Sequence, residues 1–304
     1  MLRYLKIGGI AVLTIAALWY VFFKPYDYRI SFKTTQASGI IYQSLMGWNN
    51  WQTVNKDIVK TFDKIPFSEL KQEFILNDSI FDIRWKIKRI SDSVCQVNAY
   101  WSDRKNGLMQ RLMVPFVKTD FVNRSLKTVK RIQRDLNDLH ERYYSGHIEF
   151  AKIPEQFCAY ISLESKIEEK ANQMMANNAY ILGYLQDNNI EIVGPPFLEV
   201  TQWNEKEGYL KFNFCFPVDS NRTYKEYEDI KFKKTDEKSA LRIKFNGNYR
   251  ISDCAWFNLI DYAERNHIDI HKLPTEIFYN DPHNGGDELE WEAEIYMPIQ
   301  THYL

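Results

Sequence analysis

The chain has 304 residues, 45% of them hydrophobic and 15% aromatic, with a formal net charge of −1. That length suits about two ordinary domains, and the near-neutral balance supplies no global field to draw in nucleic acid, so no nucleic-acid partner is expected. Cys95, Cys158, Cys215 and Cys254 are scattered with no Cys-x-x-Cys pair, which argues against a zinc or dithiol redox site and leaves them as core thiols.

Residues 1–25 read as a membrane anchor. Ile7 to Phe23 carries no charge. As a helix rising ~1.5 Å per residue it nearly crosses a hydrocarbon core of about 30 Å, with Lys6 reaching outward. Trp19 and Tyr20 stand near the far end, where amphipathic rings favour the interface. A cleaved signal peptide is the rival reading, but the bulky Trp19-Tyr20-Val21-Phe22-Phe23 end lacks the small residues of a cleavage site. A single-pass membrane location is expected. Its orientation stays open, because Arg3 and Lys6 precede the run while Lys24, Arg29 and Lys33 follow it.

Residues 26–146 read as an α+β domain. Tyr28 to Lys33 alternates as a strand. Leu70–Leu76, Ile80–Ile90, Val94–Trp101 and Leu108–Phe116 follow as strand-like runs separated by turn signals, giving an antiparallel meander. Phe81, Ile83, Trp85 and Ile87 should share one face of its long second strand. From about Asn123 to Tyr144, Leu126, Val129, Ile132, Leu136, Leu139 and Tyr143 step by three and four, which predicts a long helix with one apolar stripe. A first strand, a helix, Trp48-x-x-Trp51, a meander and a closing helix together resemble the START-like, or SRPBCC, helix-grip fold. The resemblance implies a sheet wrapped around the long helix, often with an apolar ligand between them.

Residues 150–304 contain a stretch that occurs twice. Gly194-Pro195-Pro196 with Glu199 leads to a strand closing at Pro217-Val218. Pro274-Thr275-Glu276 leads to one closing at Pro298-Ile299. Ahead of the first copy lie a strand, Phe157–Leu163, and a helix, Ser165–Asp187. Ahead of the second lie Leu241–Phe245 and a helix, Ser252–Asn266, which Ser252 or Asp253 could cap. Each half is therefore strand, helix, strand, strand. Neither half can bury its sheet face alone, so the two should pack as one pseudo-symmetric domain.

This half resembles the GyrI-like effector-binding domain of bacterial AraC- and MerR-type regulators. The matching residues are Gly194-Pro195-Pro196 with Glu199, Gly247-x-Tyr249 before a helix containing Trp256, Pro274-Thr275-Glu276-Ile277-Phe278, and Glu294 to Ile299. The resemblance implies a cleft between the two halves that takes up small, often cationic and aromatic molecules, with an acid among aromatic rings. A carboxylate in an apolar cleft attracts a desolvated cation, and ring faces add cation–π attraction. The family's pocket acid carries onto Glu276, on one strand face with Phe278. Glu199, Thr201 and Trp203 should share a face of the equivalent strand. Trp203, Tyr249 and Trp256 are the aromatic candidates. The family often has tyrosine two residues after the acid, where this chain has Phe278.

No phosphate loop, Gly-x-Ser-x-Gly elbow, dinucleotide fingerprint or DNA-binding helix pair is present. No cofactor or metal is called for. The expectation is a membrane-anchored binder of a lipophilic, cationic aromatic molecule, more readily a non-enzyme than an enzyme. One alternative, also implied by the resemblance, is a hydrolase using Glu276 as acid or base. Another is a lipid-handling or envelope structural protein.

Overall fold

The structure is a computed structural model and describes residues 2–47, 58–76 and 79–300. It divides into two compact units, Met1–Asn137 and Asp138–Leu304.

The first unit begins with an apolar helix, α1 (Leu2–Leu18), continued by one π-helical stretch, Trp19–Phe23; from Lys6 to Phe23 the residues are exposed except for the half-buried Tyr20 and Val21. Then come β1 (Tyr28–Thr34), α2 (Ser38–Met46), β2 (Ile58–Ile65), β3 (Glu69–Leu76), β4 (Ser79–Ser91), β5 (Val94–Asp103), α3 (Gly107–Met113) and α4 (Asp120–His140). Among the described residues the strands form one antiparallel sheet in the order β1-β5-β4-β3-β2. Alternation along β4 buries Phe81, Ile83, Trp85 and Ile87, as the period-two pattern requires. Those side chains share one core with Tyr42 and Leu45 of α2 and with Phe121, Val129, Ile132 and Leu136 of α4. Gln72 is buried at the centre of that core. It donates to the Leu45 carbonyl at 3.0 Å and accepts from the Trp85 indole at 2.9 Å, so its burial is compensated. Trp48 and Trp51 lie outside the described residues.

Two expectations for this unit are corrected. Leu108–Phe116 is not a strand but contains the helix α3. Leu, Met, Gln and Arg are good helix formers, and β1 rather than this segment pairs with the outer side of β5. The long helix ends at His140 rather than Tyr144. Tyr143 leaves the helical stripe for a short strand, β6 (Tyr143–Ser145).

The second unit continues with β7 (Glu149–Ile153), β8 (Gln156–Lys166), α5 (Lys170–Asp187), β9 (Phe197–Asn204), β10 (Tyr209–Pro217), β11 (Lys231–Thr235), β12 (Lys238–Gly247), α6 (Asp253–Arg265), β13 (Thr275–Phe278) and β14 (Glu292–Pro298). Among the described residues its sheet runs β11-β8-β10-β9-β13-β14-β12-β6, with β7 also paired to β12. The two halves, β8-α5-β9-β10 and β12-α6-β13-β14, are related by pseudo-symmetry about the antiparallel β9–β13 pair. Outside the repeat, β11 borders β8, and β6 and β7 both pair with β12. Tyr143 of β6 stacks on Phe245 with ring centroids 5.6 Å apart. Gly247 permits that approach, since a Cβ there would lie 2.9 Å from the Tyr143 Cβ.

Candidate functional site

The β9–β13 pairing sets which side chains can meet. Glu276 lies opposite Leu198, and Thr275 opposite Glu199. Phe214 of β10 pairs with Leu198, and Ile295 of β14 pairs with Glu276. Counted back from the closing prolines, Pro217 and Pro298, the counterpart of Glu276 is therefore Leu198. Glu199 corresponds to Ile277. The duplicated motif thus carries its acids on opposite faces, and only the second half directs one toward the helices.

On the helix side a cleft of about 540 Å³ opens between the halves. That is room for a drug-sized molecule. Met174 and Met175 of α5, Pro195 and Pro196, and Phe214 and Phe216 of β10 line it from the first half. From the second half come Tyr249, Phe278 and Trp291, with Asn248, Arg250, Asp281 and Glu288 adding polar groups. The Tyr249 ring packs 4.8 Å from Phe278 and 5.8 Å from Trp291, centroid to centroid. Its hydroxyl donates to the Glu292 carbonyl at 2.7 Å and accepts from the Asn280 amide at 3.2 Å. Burial raises the Tyr249 pKa to about 12, so it remains a neutral phenol in the physiological range.

Glu276 does not line this cleft. It is fully buried behind the Tyr249–Ser252 segment. The Ser252 Oγ lies 2.8 and 3.0 Å from its two carboxyl oxygens and 2.9 Å from the Tyr249 carbonyl. Ser252 stands at the start of α6, but its hydroxyl makes these contacts instead of capping the helix. A hydroxyl has one proton. When Glu276 is ionised, that proton goes either to the carboxylate or to the Tyr249 carbonyl. When Glu276 is protonated, Ser252 accepts from the acid and donates to the carbonyl, and every group is satisfied. Burial raises the Glu276 pKa, which favours the second arrangement; Lys170 and the hydrogen bond from Ser252 oppose the rise. Lys170, also fully buried, places its Nζ 3.3 Å from Asp253 and 3.3 Å from the Tyr249 carbonyl. Burial pulls the Lys170 pKa down, and the negative charges of Glu276 and Asp253 push it above the ordinary lysine value, so charge on Lys170 and on Glu276 favour each other against burial. Its Nζ also lies 5.4 Å from the centre of the Trp256 ring.

Of the six candidate residues, the structure brings Tyr249 and Phe278 to the cleft wall. Glu276 and Trp256 lie in the layer behind, and Trp203 packs on α6, 5.5 Å from Trp256 and 5.9 Å from Phe257. Glu199 lies on the opposite sheet face. There it accepts from Lys233 and Asn213 and lies 3.8 Å from Lys238. Burial opposes its ionisation, but the Lys233 hydrogen bond and the neighbouring cations hold its pKa below the usual carboxylate value.

Glu199 and Trp203, expected to share a face, do not. Val200 pairs with Phe212 and Gln202 with Lys211, leaving Thr201 as an extra residue in β9. Such a bulge resets the alternation and turns Trp203 toward the helices. The sequence does not by itself single out Met174, Met175, Phe214, Phe216, Trp291 or Lys170 as site residues. A lysine in the first turn of a helix reads as a solvated residue, so nothing in its local pattern marked Lys170.

The sequence model of the GyrI-like small-molecule-binding domain matches residues 146–300. No curated protein matches the chain. Among solved structures, the C-terminal domain of EcmrR is 19% identical at a TM-score of 0.43, with 51% of this chain and 98% of that one covered. A hydrolase from Listeria innocua is 12% identical at a TM-score of 0.36, covering 54% and 98%. SAV2435 bound to tetraphenylphosphonium is 12% identical at a TM-score of 0.35, covering 51% and 94%. The family match takes in more than half of the chain, all of both repeated halves and every residue of the cleft: this chain belongs to the GyrI-like small-molecule-binding family.

Proposed function

We propose that the chain is a membrane-anchored receptor for a lipophilic aromatic molecule, held in the cleft between the two halves of its second unit. The cleft itself carries the reading. Its walls are thioether, proline and aromatic side chains, which give a large apolar contact area, with a few polar groups at fixed points to orient a ligand. Asp281 and Glu288 outnumber Arg250 among the charged lining residues, which favours a cation over an anion. Glu276 lies behind the cleft wall, and Lys170 balances its charge whenever the acid is ionised, so the preference for a cation rests on Asp281 and Glu288 rather than on Glu276. A hydrolytic role for Glu276 has little support, because a carboxyl sealed behind Tyr249 has no access to a water at a bound substrate. The membrane part of the proposal rests on the exposed apolar helix, Lys6–Phe23, whose length and composition suit a span.

The test is titration calorimetry on the full chain in lipid nanodiscs, with tetraphenylphosphonium and the neutral triphenylphosphine oxide as probes. Met175→Trp fills the cleft from an exposed position and serves as the blank for partition into lipid. Trp291→Ala removes one wall. Binding should vanish in Met175→Trp and weaken by roughly tenfold in Trp291→Ala, the equivalent of about 1.4 kcal/mol. Heats in Met175→Trp equal to those of the unaltered chain would overturn the cleft assignment.

A further inference from the structure

The helix α3 buries none of its residues. Leu108, Met109, Leu112 and Met113 recur at helical spacing, and Phe116 and Val117 extend the same apolar surface; all six are exposed, Phe116 by 87%. Exposed apolar side chains this concentrated mark a surface that meets something other than water. The segment is nevertheless held firmly. Asp103 accepts from the backbone amides of Lys105 and Asn106 and from the Gln110 side chain, and Gln110 in turn accepts from Thr119. Arg111 donates at 2.6 Å to Asp27, which is only 1% exposed and also accepts from the Asp103 amide. Gly107 lets the helix sit this close, since a Cβ there would lie 3.0 Å from the Asp27 carboxylate.

What covers the surface is indicated by where it is tied. A second nitrogen of Arg111 donates at 3.0 Å to the carbonyl of Val21, in the last turn of the apolar N-terminal run. Val21 is two residues from Phe23, roughly 3 Å along a helix axis. Trp19, Phe22 and Phe23 around it are themselves exposed. From Lys105 to Thr119 the chain has no acidic residue, while Lys105, Arg111 and Lys118 are basic. Apolar side chains beside a span, flanked by cations and free of acids, are the chemistry of the lipid interface.

We infer that Leu108–Val117 is a membrane-interface element: α3 and the turn after it insert about 5–10 Å into the headgroup region next to the end of the N-terminal helix. The inference rests on the reading of that helix as a membrane span. Together the span and the patch fix the first unit at two points, which would set its tilt against the bilayer instead of leaving it on a swivel.

The test uses the full chain in vesicles of phosphatidylcholine and phosphatidylglycerol. The four native cysteines are all buried, so a single surface cysteine can carry a bimane label. Phe116→Cys reports on the patch, Leu13→Cys on the middle of the span, and Lys88→Cys on an exposed sheet position away from both. The Phe116→Cys label should be quenched more strongly by lipid carrying a nitroxide near the headgroup than by lipid carrying it deep in the chain, and be shielded from aqueous iodide. The Leu13→Cys label should show the opposite depth preference, and the Lys88→Cys label should respond to iodide alone. If Leu13→Cys is not quenched by lipid, the span reading fails. If Leu13→Cys is quenched while Phe116→Cys stays open to iodide, the interface element fails and the span stands. Shielding of Phe116→Cys from both quenchers, with cross-linking to a second copy through that position, would replace lipid with a self-contact and also overturn the inference.

Discussion

At the scale of single residues, the second unit is governed by a buried group whose charge is costly. Glu276 is closed off from water, and burial raises its pKa above the ordinary value of 4.5. A carboxyl whose folded pKa is raised holds its proton more tightly in the folded chain than in the unfolded one. Its contribution to stability is therefore fully present below the unfolded pKa and is lost as pH rises through the folded pKa. Glu276→Gln keeps the shape, retains a partner for Ser252 and does not titrate. The melting temperature of Glu276→Gln relative to the unaltered chain should rise as pH increases above about 4.5, where the unfolded glutamate begins to ionise. Melts across a pH series measure it. A constant difference would mean that Glu276 has the same pKa folded and unfolded, with Lys170 and Ser252 cancelling the effect of burial. The acid itself was legible in the sequence, through Pro274-x-Glu276-Ile277. Its seclusion was not, because a motif names a residue and says nothing about a lysine more than one hundred positions earlier.

At the scale of elements, the repeat was legible because each copy preserves a proline-bounded strand after an amphipathic helix, and those are local patterns. The failures came where a local pattern was overridden. Counting by two along β9 put Trp203 with Glu199, and the extra residue at Thr201 reversed that. An apolar stretch over Leu108–Phe116 suits a strand or a short helix by pattern alone, and the chain takes the helix over Gly107–Met113. The bulge gives a direct test. Deleting Thr201 should restore strict alternation and swing Trp203 away from Trp256 and Phe257. The loss of a large half-buried aromatic contact is worth on the order of 2 kcal/mol. Denaturant unfolding followed by circular dichroism should show the deletion at least as destabilising as Trp203→Ala. A deletion variant as stable as the unaltered chain would mean that the bulge does not position Trp203.

At the scale of the whole molecule, the buried clusters of the two units, among the described residues, are built from separate stretches of chain. The first draws its side chains from Phe32 to Leu136. In the second, Ile153, Cys158, Phe197, Cys215, Ala240, Ile277 and Tyr296 cluster on one sheet face, and the cleft opens on the other. A perturbation confined to one core should therefore act on one cooperative transition. Ile132 of α4 is 4% exposed, and its truncation to alanine should cost about 2–5 kcal/mol in the first unit. A cleft ligand at a hundred times its Kd should add about 2.7 kcal/mol to the second. Differential scanning calorimetry of the full chain in nanodiscs distinguishes these effects. Ile132→Ala should lower one transition and leave the ligand-induced rise of the other intact. If ligand and Ile132→Ala instead shift a single shared transition, the two units unfold as one, and occupation of the cleft would then be felt by the first unit. Two independent transitions would mean that ligand in the cleft leaves the stability of the first unit unchanged. A single one would mean that ligand in the cleft also stabilises the part of the chain that carries the apolar helix.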